Sequence, residues 1–114
     1  GMRRTLKRTK AAGLHSTIVM IYLDQVGMSL ARVRQRSRKG GHNIADRDVI
    51  RRFGRSLRNF WNEYRFLADE WLLVYNAGRE PVDVAVGVQD DVNVLHEDLF
   101  ESFIRLVEHE QDAA

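Results

Sequence analysis

The sequence contains no cysteine and a single proline among its 114 residues. The lack of cysteine excludes disulfides, thiolate zinc sites and cysteine nucleophiles, and it is typical of a reducing compartment, so we expect a cytoplasmic protein. Its apolar runs, such as residues 18–22, are far shorter than the roughly 20 residues of a membrane-spanning helix. With 44% hydrophobic and 30% charged residues, the composition is that of a globular chain. We therefore expect one domain over residues 1–114 and no membrane partner.

The two halves of the chain carry opposite charge. Residues 1–60 contain 15 Lys and Arg against three Asp, whereas residues 61–114 contain three Arg against 13 acidic residues. This asymmetry indicates a basic region that meets an anion and an acidic region that does not. The alternative is that the two halves neutralise each other within the fold.

The spacing of apolar residues predicts a mixed α/β fold. A basic helix over residues 3–12 ends at Gly13, and the nearly continuous apolar run of residues 16–23 predicts a short buried strand, covered on both faces. Helical spacing follows over residues 25–39 and 45–68, interrupted at Gly40-Gly41. Residues 71–75 predict a second strand, which forms a hairpin with an edge strand over residues 82–88. An acidic loop over residues 89–93 then leads to a C-terminal helix that ends near His109.

Arginine is concentrated on one face of the predicted central helix. Arg47, Arg51, Arg55 and Arg58 are spaced by four, four and three residues. Like charges at this spacing destabilise a helix by about 0.2–0.5 kcal/mol per pair, a cost that a bound polyanion would offset. The planar guanidinium group also suits phosphate better than the lysine ammonium does. A solvated basic face opposite the core is the alternative interpretation.

A pattern of glycine, arginine and apolar residues extends over about residues 16–78. It reads Arg32-Val33-x-x-Arg36, Gly40-Gly41-His42-x-Ile44, Ile50-Arg51-Arg52-Phe53-x-Arg55-Ser56-Leu57-x-Asn59 and Leu67-Ala68-Asp69-x-Trp71. This pattern resembles the distal half of zeta-toxin-like P-loop kinases, in which these residues form the helical lid and the following strand. The resemblance implies a partial P-loop-kinase-like α/β fold, with a lid over about residues 25–68, a C-terminal β-hairpin and a terminal helix.

The resemblance also implies which residues bind ligand. In the family the lid arginines close over nucleotide phosphates, and we expect Arg51 to lie near the same anion. The implied phosphate or nucleotide site comprises the lid arginines, the lid turn and a residue near the adenine: Arg36, Arg51, Arg52, Arg55, Gly40, Gly41, His42 and Asn76.

The catalytic motif of that family is missing from this sequence. The P-loop pattern GxxxxGK[ST] occurs nowhere in it, and the family's acidic base would also precede residue 1. ATP and Mg²⁺ are therefore implied for the complete family only, and we expect neither to bind this chain tightly. No catalytic residue is predicted, and no histidine pair has metal-ligand spacing. We expect the chain to resemble a nucleotide-sugar or small-molecule kinase without being a kinase by itself.

Two other functions fit the same residues. The chain is alternatively a non-catalytic basic module that binds nucleic acid or another polyanion, or a structural subunit that complements a separate N-terminal half. An unpaired edge on the residue 16–23 strand would also favour a homodimer. The expected partners are thus a phosphate-bearing small molecule and a second copy or a complementing chain, with nucleic acid as the alternative.

Overall fold

The computed structural model of the chain describes residues 1–24, 46–77 and 80–113. Its helices are α1 (Met2–Ala11), α2 (Asp46–Asn59), α3 (Arg65–Leu67) and α4 (Glu97–Ala113), and a π-helical turn (Phe60–Tyr64) joins α2 to α3. Its strands are β1 (Thr17–Tyr22), β2 (Glu70–Tyr75), β3 (Val82–Val88) and β4 (Asp91–Val94). The predicted mixed α/β class is confirmed. The part of the predicted lid over residues 25–45 lies outside the described residues.

The four strands form one mixed sheet in the order β1-β2-β3-β4. β1 and β2 are parallel, from Thr17 opposite Glu70 to Tyr22 opposite Tyr75, and the other two pairings are antiparallel. A parallel pair needs a long crossover, and the α2-to-α3 helical segment lies in that crossover. The predicted hairpin of residues 71–75 with residues 82–88 is also confirmed.

The prediction for residues 82–93 was wrong in two respects. β3 is an interior strand, because β4 pairs along its other side, and residues 91–93 of the expected acidic loop belong to that strand. The connecting turn places Gln89 at a φ of 57°, in the left-handed region. Gln-Asp carries none of the Asn-Gly or Asp-Gly signals that reveal short hairpins in a sequence, so the pattern did not predict this turn.

One face of the sheet carries the core. Residues of α2, the π-helical turn and α4 pack against it, and Trp71 makes edge-on ring contacts with Phe60 at 5.8 Å and Trp61 at 5.6 Å between centroids. Gly87 lies directly beneath this tryptophan, because a Cβ at this position would stand 2.4 Å from the indole ring. The same Cβ would stand 2.3 Å from the backbone carbonyl oxygen of Asp91, so a side chain there would collide with both the ring and β4.

The prediction that β1 is covered on both faces was also wrong. Ile18 and Met20 pack against the core, and Tyr22 is fully buried within it, whereas Val19 and Ile21 are each 54% exposed. The helices that form the core pack on the face that carries Tyr22. A continuous apolar run therefore reflected one buried face and one exposed apolar face.

Candidate phosphate-binding surface

Helix α2 separates apolar from basic side chains. Leu57 is buried in the core and Phe53 packs beside it, whereas Arg51, Arg52 and Arg55 are exposed. At about 100° of rotation per residue, the basic side chains leave the helix on the side opposite Leu57 and Phe53. The set that shares this side, named the arginine face here, is Arg51, Arg52, Arg55 and the half-buried Arg58.

Among the described residues, little negative charge lies beside Arg51, Arg52 and Arg55. Arg51 Nη2 lies 3.7 Å from Asp48 Oδ1, and these side chains are 62% and 44% exposed. That distance exceeds the roughly 2.7–2.9 Å of a strong charge-assisted hydrogen bond. Within the described part of the chain, Arg52 and Arg55 have no carboxylate oxygen within 4.0 Å. Their guanidinium donors are thus available to an incoming anion.

Asn76 lies on a different element from the arginines. It follows β2 directly, is half-buried, and its backbone N–H donates to the carbonyl of Tyr22 at 3.0 Å. It therefore lies at the carboxyl end of the parallel β1–β2 pair, where α/β sheets commonly bind ligands. The other predicted site residues lie outside the described residues: Arg36, Gly40, Gly41 and His42.

Polar contacts at the two ends of the parallel pair hold the sheet in place. At the carboxyl end, the buried Tyr22 hydroxyl donates to the Leu99 carbonyl at 2.9 Å, and burial raises the pKa of Tyr22 to about 12. At the amino end, Asp69 Oδ2 accepts the Ser16 backbone N–H at 2.7 Å, and this bond lowers the pKa of Asp69. The carboxylate of Asp69, a residue of the kinase-like pattern, thus anchors the start of β1.

A second basic surface lies on α1, which was predicted as a basic helix but not as a binding surface. Arg4, Lys7 and Arg8 are exposed and, with Arg3 and Ala11, line a shallow depression of about 400 Å³. The guanidinium of Arg3 already binds a carboxylate, because it donates two hydrogen bonds to Glu63. This ion pair raises the pKa of Arg3 and lowers that of Glu63. The spacing of Arg4, Lys7 and Arg8 on one helix face is the signal that could have revealed this surface.

Arg65 shows how a structural arginine differs from those of the arginine face. Its guanidinium carbon lies 3.8 Å from the Trp61 ring centroid, and its Nε donates to the Trp61 carbonyl at 2.6 Å. Its Nη1 donates to the Gln89 carbonyl at 3.1 Å, and burial lowers its pKa. Arg65 therefore ties the π-helical turn to the β3–β4 turn, and two of its five N–H donors are used within the fold.

In residues 1–24, 46–77 and 80–113, no three His, Asp or Glu side chains are grouped as metal ligands would be. Over the same residues, no helix combines the length and apolar character needed to cross a membrane. Comparison with protein-family models, curated proteins and solved structures finds no match to the chain. The resemblance to zeta-toxin-like kinases therefore rests on the motif residues alone.

Proposed function

We propose that this chain binds the phosphate groups of a nucleotide through the arginine face, as the lid and C-terminal portion of a zeta-toxin-like kinase. The observation that carries the proposal is the exposure of Arg51, Arg52 and Arg55 on one side of α2, where the described residues place a single carboxylate, that of Asp48, 3.7 Å from Arg51. A guanidinium offers paired N–H donors whose geometry matches two phosphate oxygens. A bound phosphate chain would also relieve the repulsion between the arginines.

The chemistry of this surface is binding and charge neutralisation. In P-loop kinases the backbone of the GxxxxGK[ST] loop holds the β- and γ-phosphates, and its Ser/Thr holds Mg²⁺. The sequence has no such loop, and the described residues form no acidic cluster suited to Mg²⁺. The residues present do not fit a complete ATP and magnesium site. We expect no transfer of the γ-phosphate by the 114-residue chain.

The proposal is tested by thermal unfolding in phosphate, ADP and ATP, each against sodium chloride at matched ionic strength. Phosphate and nucleotide should raise the Tm of the native chain, because a ligand that binds only the folded state stabilises it. The increase should be lost in Arg52→Gln and Arg55→Gln. It should persist in Arg105→Gln, which removes an exposed arginine from α4, outside the arginine face.

Two results would contradict this proposal. Equal melting curves in chloride and phosphate would show that the arginine face holds no anion. ATP turnover that survived repurification and disappeared in Arg55→Gln would show that the chain performs the transfer without a P-loop.

A second candidate function, binding of nucleic acid, is favoured by the basic surface on α1. Arg4, Lys7 and Arg8 form a second cluster of cations, on a different helix from the arginine face, and a long polyanion could contact more than one such cluster. Binding to random duplex DNA should then weaken with salt, with a log–log slope of about −0.9 for each phosphate contacted. The double variant Arg4→Gln/Lys7→Gln should reduce that slope and leave nucleotide binding unchanged. Equal DNA affinity in low and high salt would exclude this function.

A further inference from the structure

The outer edge of β1 has no strand partner in the part of the chain that the structure describes. β1 is the first strand in the sheet order, and β2 is its described neighbour. The six residues of β1 include neither a charged residue nor a proline. Natural edge strands usually carry such a residue, a bulge or a covering segment, because an open edge templates pairing with another chain. β4, at the other edge, has four residues and begins with Asp91.

The hydrogen bonds at the two ends of β1 show which backbone groups point to the open edge. The carbonyl of Ser16 accepts the N–H of Glu70 at 3.1 Å, and the carbonyl of Tyr22 accepts the N–H of Asn76 at 3.0 Å. Even-numbered residues therefore direct their backbone groups towards β2. Because this direction alternates along a strand, the odd-numbered residues direct theirs outwards.

The outward-directed residues are Thr17, Val19 and Ile21, and their side chains are also the exposed ones. Val19 and Ile21 are each 54% exposed. The open edge thus combines unpaired backbone groups with uncharged side chains on one exposed face.

We propose that β1 pairs antiparallel with β1 of a second copy of this chain, about a two-fold axis at Val19. Val19 then lies opposite Val19 of the second copy, and Thr17 lies opposite Ile21. This register makes three hydrogen-bonded pairs of outward-directed residues, each of which exchanges two backbone hydrogen bonds. If the register shifts by two residues, only two of these three pairs remain within β1. If it shifts by one residue, exposed side chains of one copy lie opposite buried side chains of the other.

A second copy fits this edge for reasons of charge and symmetry. β1 has no charge to oppose its own copy, and a two-fold axis covers both open edges with one interface. Strand pairing over six residues buries less than the roughly 1,200 Å² of a stable protein interface, so the dimer is weak and concentration-dependent. This inference is independent of the phosphate-binding proposal.

Engineered cysteines test the register, because the natural sequence contains none. In a hydrogen-bonded antiparallel pair, Cα atoms lie about 5.5 Å apart, within the roughly 4.4–6.8 Å that a disulfide spans. Val19→Cys should therefore cross-link to a dimer on mild oxidation or with a short bifunctional thiol reagent. Val88→Cys is the matched control: Val88 is 53% exposed, but it lies on β3, which is paired on both sides. Cross-linking of Val88→Cys in place of Val19→Cys would overturn the proposal in favour of face-to-face packing.

Sedimentation velocity over a series of micromolar concentrations tests the association itself. The native chain should increase in mass from 13.2 kDa towards twice that value as the concentration rises. Val19→Lys should remain monomeric, because it places like charges opposite each other, whereas Val88→Lys should still dimerise. Since Val19 is exposed in the monomer, Val19→Lys should keep the native circular dichroism spectrum. A native chain that is monomeric throughout the series would overturn the proposal.

Discussion

Replacement of Arg55 by glutamine should stabilise the free protein while it weakens phosphate binding. Arg55 lies three or four residues from Arg51, Arg52 and Arg58, so it has three like-charged neighbours on the helix surface. Each such pair destabilises a helix by about 0.2–0.5 kcal/mol at low salt, and the three together by about 0.6–1.5 kcal/mol. Glutamine and arginine have nearly equal helix propensities, so the substitution changes little else.

The assay is urea unfolding of the native chain and Arg55→Gln in low and high salt. At about 0.01 M ionic strength the Debye length is about 30 Å, and the variant should be more stable than the native chain. For a chain of this size the gain corresponds to roughly 2–6 °C in Tm. At about 1 M salt, where the Debye length is about 3 Å, the difference should disappear. Arg105→Gln is the control, because Arg105 has no arginine neighbour on the predominantly acidic α4. Its replacement therefore relieves no repulsion between arginines.

One result would refute this reasoning. If Arg55→Gln were less stable than the native chain at low salt, Arg55 would be making a stabilising contact within the fold. The arginine face would then be a structural feature, and its charge would need no bound anion to offset it.

Two further predictions concern stability. Gly87→Ala should destabilise the fold by about 1–3 kcal/mol in urea unfolding, because its methyl group would collide with the Asp91 carbonyl oxygen and with Trp71. A Cβ added at Gly13 meets no atom within 4 Å, so Gly13→Ala should lose stability only because of the φ of 75°. An equal loss of stability in Gly13→Ala and Gly87→Ala would contradict the packing argument. The bond from the Ser16 N–H lowers the folded-state pKa of Asp69 below its unfolded value. Its stabilisation is therefore fully present above the unfolded pKa of about 3.9 and is lost as the pH falls through the folded value. Between pH 6 and pH 2, the free energy of unfolding should fall less for Asp69→Asn than for the native chain. Parallel pH profiles of the two proteins would contradict this role of Asp69.

Local sequence signals determined most of the individual elements of this protein. Gly13, which adopts a φ of 75°, marked the end of α1, and the helical spacing of residues 45–68 predicted the segment from α2 to α3. These signals succeed because capping and amphipathic periodicity act between residues that are close in the chain. The basic side of α2 was predicted because the arginines recur at helical spacing along that segment. The ligand that this side binds was implied by resemblance alone and stays a prediction.

The tertiary structure decided which surfaces are covered and which are open. The apolar run of β1 could not show that Tyr22 is buried while Val19 is exposed, because that depends on which sheet face the helices cover. The alternation in β3 could not show that β4 pairs beside it, since pairing depends on a turn at Gln89 that has no sequence signature. Composition and spacing specify what each element can bury, whereas the packing of elements distant in the chain specifies what it does bury.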